Sequence, residues 1–196
     1  MINYPNKKVV SDSKKEYINY GNRGMNLEDS INLTNTYYLE NNIAVIHKKP
    51  TPIQIIKLDP KKGRIVDAFF KSPSTTDYNG IYKGRYVDFE AKETQSKTAF
   101  PLANIGKHQV EHLKKVKEQG AIAFVIISFS KLDEIYLLDA NYIVACYTNL
   151  ERKSIPYSYI KEHGHLISRG YFNRVDYLKM QKSRNPWIVR VTRFEN

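Results

Sequence analysis

One short segment of the sequence carries the residue types needed to hydrolyse a phosphodiester. Residues 85–92 alternate as a β-strand does, so one face gathers two carboxylates and an amine from Asp88, Glu90 and Lys92. Another carboxylate, Asp77, precedes this strand by a short interval. An acid, a gap and then acid-x-Lys on a strand is the pattern of many metal-dependent nucleases. The same spacing also occurs in an ordinary solvated strand edge with a salt bridge.

The residue types explain the chemistry that this pattern would support. Magnesium prefers hard oxygen ligands and keeps several waters, so Asp77 and Glu90 are the expected ligands beside a scissile phosphate. The metal would polarise a phosphoryl oxygen and activate a water. Lys92 would position that water or stabilise the charge at phosphorus. Asp88 lies about 7 Å from Glu90 by strand rise, and its role as ligand, supporting group or salt-bridge partner stays open.

Charge and composition narrow the class of protein. The chain has 196 residues, with 31 Lys plus Arg against 20 Asp plus Glu, a net charge of +11 and a pI near 9.5. This balance favours a polyanion such as nucleic acid, although a biased genome composition would give it too. No apolar run is long enough for a membrane helix, and the first residues lack a signal-peptide run, so we expect a cytoplasmic protein with no membrane partner.

Periodicity and turn residues predict the elements that must position these side chains. Asn26 is a good N-cap, with Glu28 and Asp29 in the following turn, and the helix that it begins should end at Asn41-Asn42. Further helices are predicted over residues 107–119, 140–150, 156–163 and 175–182. Strands are predicted over residues 43–47, 53–58, 65–71, 85–92, 121–129 and 134–138, with turn signals at 73, 77–80 and 84.

This order of elements predicts an α/β fold with a mixed central sheet flanked by helices. Residues 1–24 are polar and basic, so we expect a flexible arm followed by a single domain over 25–196. Residues 53–71 are expected to form a projecting hairpin. Its basic tip carries Lys61, Lys62 and Arg64. Such a tip suits a nucleic-acid groove or branch point, but it is also what an ordinary exposed loop looks like.

Longer blocks of sequence resemble a known family. Residues 75–94, from Thr75-Thr-Asp-Tyr-Asn-Gly to Glu-Ala-Lys-Glu-Thr94, are similar to the RecU family of Holliday junction resolvases. Three more blocks are similar to the same family, at residues 22–25 with 27–29, at 43–52, and at 100–102 with 108–112. The likeness runs from about residue 20 to about residue 140. It departs from the family in a shorter stalk segment and weakens after about residue 150.

The resemblance implies a restriction-endonuclease-like nuclease domain that acts as a homodimer, with a stalk near residues 58–70. It implies paired symmetric nicks across four-way junction DNA during recombination and repair. By motif position, the metal ligands for Mg²⁺, with Mn²⁺ as a substitute, would be Thr75, Asp77, Glu90 and Gln109. Lys92 would stabilise the transition state. Neither Thr75 nor Gln109 would be chosen from chemistry alone, and Glu28 is a weaker candidate that could face the site.

The expected DNA contacts and partners follow from charge and resemblance together. The candidate DNA-binding residues are Arg23, Lys61, Lys62, Arg64, Lys83 and Arg85. A recombinase and a branch-migration helicase are partners that only the resemblance suggests.

Two other functions compete with a resolvase. His108-Gln-Val-Glu111-His112 fits the H-x-x-E-H pattern of zinc hydrolases, in which two histidines bind zinc and the glutamate is the base. The second rival is a non-catalytic junction-binding or recombinase-regulating protein with an inactive nuclease fold. The presence of Asp77, Glu90 and Lys92 argues against that second rival.

Overall fold

The computed structural model describes residues 26–148, 153–170 and 173–178. Its helices are α1 (Leu27–Glu40), α2 (Lys107–Glu118), α3 (Ala140–Thr148) and α4 (Tyr157–His163), with a 3₁₀ turn at Leu102–Asn104. Its strands are β1 (Val45–Lys48), β2 (Ile53–Asp59), β3 (Arg64–Phe70), β4 (Tyr78–Tyr82), β5 (Arg85–Thr94), β6 (Ala99–Pro101), β7 (Ile122–Phe129), β8 (Glu134–Asp139), β9 (Ser154–Pro156) and β10 (His165–Leu166). The predicted basic arm, residues 1–24, lies outside the described residues.

A six-stranded mixed sheet forms the centre of the described structure. Its strand order is β1-β4-β5-β7-β8-β10. Strands β5 and β7 are parallel, with α2 as the crossover between them, while the other neighbours are antiparallel. Every residue of β7 is buried, as its continuous apolar run predicts for a central strand. The prediction of an α/β fold with a mixed sheet flanked by helices is therefore confirmed.

Helices cover both faces of this sheet. Asn26 caps α1 by accepting a hydrogen bond from the backbone N–H of Asp29 at 2.8 Å, and Leu27 and Ile31 turn inward against β5. Helices α2, α3 and α4 close the opposite face over the alternate side chains of β7 and β8. Because β5 lies in the middle of the sheet, a polar residue at one of its buried positions needs hydrogen-bond or charge partners.

The predicted hairpin is present as a separate two-stranded unit. Strands β2 and β3 pair with each other and with no strand of the central sheet. Every residue of β3 is exposed, and so are all residues of β2 except Asp59, which is half-buried. Asp59 accepts hydrogen bonds from the backbone N–H groups of Lys61 and Lys62 and so folds the turn at the tip.

The turn predicted at residues 77–80 is wrong, because β4 begins at Tyr78 and runs through Gly80. Glycine serves here for close approach of two strands, since a Cβ on Gly80 would lie 2.0 Å from the backbone oxygen of Val45. The reversal falls at Lys83 and Gly84, where φ is 49° and 75°, so the turn signal predicted at Gly84 is confirmed. Asp77 therefore directly precedes a strand that pairs with β5.

The helix predicted over residues 175–182 is also wrong in its described part. Val175 forms an isolated bridge with Arg169, and its N–H donates to Thr34 Oγ1 at 2.8 Å. The N–H of Leu178 donates to the hydroxyl of Tyr38 at 3.1 Å. Side chains of α1 therefore bind two backbone N–H groups of this segment, which packs against α1 without forming a helix. Among the described residues no helix is long and apolar enough to span a membrane.

Candidate active site

The polar face of β5 forms the floor of the candidate site. Val87 and Phe89 point into the core on the α1 side, which places the intervening residues on the face toward α2. Asp88 and Glu90 on that face are fully buried, and the Lys92 side chain is 25% exposed. The alternation predicted from the sequence is thus realised, with two buried carboxylates next to one half-buried amine.

Glu90 is held by groups from three parts of the chain. Its Oε1 accepts from Gln109 Nε2 at 2.7 Å and lies 2.6 Å from the Lys92 amine, while its Oε2 accepts from the Asp77 N–H at 3.1 Å. Burial raises the pKa of Glu90 to about 7, against the hydrogen bond from Lys92, which lowers it. The negative charge of the neighbouring Asp77 contributes to this raised pKa.

Asp77 reaches the site from the segment that leads into β4. Its Oδ2 accepts a hydrogen bond from the backbone N–H of Ala91 at 3.2 Å. Glu90 thus accepts from the backbone N–H of Asp77, and Asp77 accepts from the backbone N–H of the residue that follows Glu90. The two carboxylates lie side by side although 13 positions separate them in the chain.

The two other residues implied as ligands have different surroundings. Gln109 is on the first turn of α2, where its Oε1 accepts from the Gly106 N–H at 2.8 Å and its amide holds Glu90. Thr75 is exposed, and its hydroxyl lies 3.1 Å from the Lys49 amine. The structure therefore brings Asp77, Glu90, Lys92 and Gln109 into one cluster, with Thr75 at its edge. Glu28 instead pairs with Lys48.

The chemistry of this cluster fits a divalent cation. Carboxylate oxygens are the hard ligands that Mg²⁺ and Mn²⁺ accept, and here two carboxylates are close enough for one to raise the pKa of the other. A cation between them would favour the charged form of Glu90, whereas the burial of Glu90 favours its neutral form.

Asp88 is the centre of a second polar cluster, in which it is a salt-bridge partner, one of the three roles left open by the sequence. Its Oδ2 lies 2.9 Å from the amine of Lys49, 2.9 Å from the hydroxyl of Tyr86 and 3.0 Å from His112 Nε2. Its Oδ1 accepts from the hydroxyl of Thr76. Lys49 and Thr76 were not predicted as site residues, and the one signal for them was a lysine and a threonine inside blocks that resemble the family.

The geometry does not favour a zinc site at the H-x-x-E-H pattern. His112 Nε2 contacts Asp88, whereas His108 Nε2 is 3.1 Å from the backbone oxygen of Ser74. Glu111 is exposed and pairs with Lys107. Within residues 26–148, 153–170 and 173–178, no group of three His, Cys, Asp or Glu side chains is arranged to hold a metal ion.

The predicted DNA-binding residues fall into two surfaces. Lys61, Lys62 and Arg64 lie at the tip of the hairpin. Lys83 and Arg85 lie at the β4–β5 turn, where Arg85 Nη2 donates to the Gly120 carbonyl at 2.9 Å beside an open groove of about 410 Å³. The predicted contact at Arg23 lies outside the described residues.

Comparisons with known proteins show what the chain is similar to. The family model described as "Recombination protein U", or RecU, matches residues 22–183. The chain is 53% identical over 191 residues to a Holliday junction resolvase RecU of Bacillus cereus strain B4264, covering 91% of this chain and 96% of that protein. A Holliday junction resolvase RecU of Bacillus thuringiensis strain Al Hakam is 51% identical, with the same coverage. The similarity therefore extends beyond the limit near residue 140 seen in the sequence blocks.

A comparison of folds adds a distant neighbour. It is the 1.6 Å structure of Archaeoglobus fulgidus Hjc, a Holliday junction resolvase, at 14% identity and a TM-score of 0.38, covering 66% of this chain and 88% of that one. A TM-score of this size supports no conclusion about this chain.

Proposed function

This chain belongs to the RecU family, and we propose that it is a structure-specific endonuclease that resolves four-way DNA junctions by paired symmetric nicks. The observation that carries the proposal is the meeting of Asp77, Glu90 and Lys92 on the buried polar face of β5. The name Holliday junction resolvase, borne by relatives that the chain matches over most of its length, supports it independently.

We propose that magnesium is the metal, with manganese as a substitute, and that Asp77 and Glu90 hold it. Thr75 and the side-chain oxygen of Gln109, Oε1, complete the proposed ligand set. This oxygen keeps a lone pair beyond the one that accepts from the Gly106 N–H. When bound, the cation supplies Lewis-acid polarisation of the scissile phosphate.

The chain's own residues prepare the site for that phosphate. The Lys92 amine lies 2.6 Å from Glu90, and the side chain is 25% exposed. It is placed to offset the negative charge that grows at the phosphate during cleavage. The amide of Gln109 orients Glu90 from the other side. Burial of the Glu90 carboxylate keeps bulk water from competing for these contacts.

Paired nicks require two sites, and we propose that the chain forms a homodimer to supply them. The exposed hairpin supports this proposal, because it displays large apolar side chains that a monomer rarely leaves in water. These side chains are Ile53, Ile55, Ile56, Leu58, Ile65, Val66, Phe69 and Phe70. The cytoplasmic location and the recombinase and helicase partners stay predictions.

The first test is cleavage of a labelled four-way junction with magnesium, beside the same arms as linear duplex. We expect nicks at symmetric positions in two opposing strands of the junction, in products that a ligase can seal. Tight junction binding without nicks would favour the non-catalytic rival. Equal cutting of junction and duplex would indicate a general nuclease.

A second prediction concerns the tip of the hairpin. Each of its strands has seven residues and so spans roughly 23 Å, and we propose that the hairpin carries its basic tip to the branch point. Replacing Lys61, Lys62 and Arg64 by glutamine should raise the Kd for a junction roughly tenfold at physiological salt, with a much smaller effect on duplex binding. The slope of log Kd against log salt should also flatten.

The matched control removes three other exposed lysines, Lys131, Lys153 and Lys161, for the same change of net charge. It should leave the preference for junction over duplex intact. If the tip variant weakens duplex and junction binding equally, the tip is an ordinary surface loop.

A further inference from the structure

Asp77 is brought to the site by a segment that has no regular structure of its own. Residues 71–77 connect the exposed hairpin to β4, and Asp77 is the last residue before that strand. Its contacts with Glu90 and Ala91 join it to the site, but they do not hold the residues before it. A catalytic carboxylate displaced by 1 Å loses much of its effect, so this segment must be fixed by other groups.

Lys49, just after β1, makes those contacts. Its backbone N–H donates to the Asp77 carbonyl at 2.7 Å. Its amine is within hydrogen-bond distance of Thr75 Oγ1 at 3.1 Å, Thr76 Oγ1 at 2.5 Å and Asp88 Oδ2 at 2.9 Å. An ammonium has three donors, and these three acceptors use all of them. One side chain thereby joins the Thr75–Asp77 segment to β5.

Thr76 and Asp88 complete this arrangement from the buried side. Thr76 is fully buried, and its hydroxyl accepts from Lys49 and donates to Asp88. Asp88 is fully buried as well, and its two oxygens are used by Lys49, Thr76, Tyr86 and His112. Three of these partners lie at Oδ2 and one donates to Oδ1, so Lys49 and Thr76 meet at the Asp88 carboxylate on β5.

We propose that Lys49 is a positioning residue, which with Thr76 and Asp88 fixes the Thr75–Asp77 segment so that the Asp77 carboxylate lies beside Glu90. The inference rests on the proposed function for its effect on cleavage, but the positioning itself can be measured in the free protein. Removing the amine leaves the buried charge of Asp88 without its main counter-ion, so the segment should loosen where it meets β5.

The test compares Lys49→Met, which keeps the length of the stem, with the wild-type full chain. Single-turnover cleavage of the junction should slow by about 10–100-fold, whereas the Kd for the junction, measured with calcium in place of magnesium, should stay within about threefold. Amide hydrogen exchange of peptides containing residues 75–78 should become about tenfold faster. A loss of junction binding as large as the loss of rate would mean that Lys49 contacts DNA, and would overturn the proposal.

A second variant removes the same contacts from the other side. Thr76→Val keeps the shape of the side chain and should slow cleavage in the same range. The double variant should keep at least about half the cleavage rate of the slower single variant, because both changes release the same segment. Independent, multiplying effects would contradict a shared role. This variant also decides the question if Lys49→Met does not fold.

Lys117→Met is the matched control, since it removes another largely buried lysine whose amine pairs with a carboxylate. The Lys117 amine lies 2.5 Å from Asp139 Oδ2. It should leave both the cleavage rate and the exchange of residues 75–78 near their wild-type values. If the wild-type chain does not cut junctions, the proposed function fails, while the exchange data still decide whether Lys49 positions the segment. Unchanged exchange in Lys49→Met would overturn the positioning role by itself.

Discussion

Asp77→Asn should lower the single-turnover rate of junction cleavage by at least about 10³-fold while the protein still binds the junction. The substitution removes one of two carboxylates proposed to hold the metal, and it changes neither the length nor the shape of the side chain. The amide oxygen can still accept from the Ala91 N–H, which Asp77 Oδ2 does at 3.2 Å, so the segment should stay in place. The loss should therefore fall on the rate and spare the Kd.

Rate and binding are to be measured on the same labelled junction, the former with magnesium and the latter with calcium. Asp133→Asn is the matched control, because it makes the same change of charge at a side chain that is 82% exposed in the β7–β8 turn. Its φ of 53° also suits asparagine. Cleavage by Asp77→Asn at the wild-type rate would show that the metal ligands are assigned wrongly.

The floor of the site could be predicted from the sequence because it depends on local rules. Alternation along β5 is enough to place Asp88, Glu90 and Lys92 on one face. Helix α2 could be predicted in the same way, since Val110 and Leu113 recur on its buried side. A strand followed by a helix and a buried strand then brings that helix over the strand's polar face. These steps need no knowledge of distant contacts.

What the sequence could not reveal are the contacts between distant segments. Lys49 meets Thr76 across 27 positions and Asp88 across 39, and no periodicity connects them. The error at residues 77–80 has the same origin, because Asn-Gly normally favours a turn and only the neighbouring strand β1 requires Gly80 within a strand. Thr75 and Gln109 entered through the family resemblance alone, and their role as ligands stays a prediction.

Glu90→Gln should have opposite effects on activity and on stability. The carboxylate is fully buried, and its pKa is raised from an ordinary 4.5 to about 7, first by burial and then by Asp77. The substitution should slow cleavage by about 10³-fold, since a neutral amide is a far weaker ligand for a hard cation. With its oxygen toward Gln109 and Lys92, the amide keeps two of the contacts of Glu90 and loses the hydrogen bond from the Asp77 N–H, so the fold should tolerate it.

The pH dependence of stability in metal-free protein separates this explanation from simple damage to the fold. A carboxyl group whose pKa is higher in the folded than in the unfolded state favours folding below pH 4.5, where it is protonated in both states. That contribution is lost as the pH rises to about 7, because ionisation then costs more in the folded protein. Between these limits the wild type should lose roughly 3 kcal/mol of unfolding free energy that Glu90→Gln keeps.

Urea unfolding of both proteins with a chelator, at several values between pH 4.5 and 8, measures this difference directly. The two curves should diverge as the pH rises, with Glu90→Gln the more stable protein on the alkaline side. Other titrating groups are common to both proteins and cancel in the comparison. Parallel curves would mean that Glu90 ionises as easily in the folded chain as in water, and that its burial costs the site nothing. Divergence would show that ionising Glu90 costs more in the folded protein than in the unfolded chain.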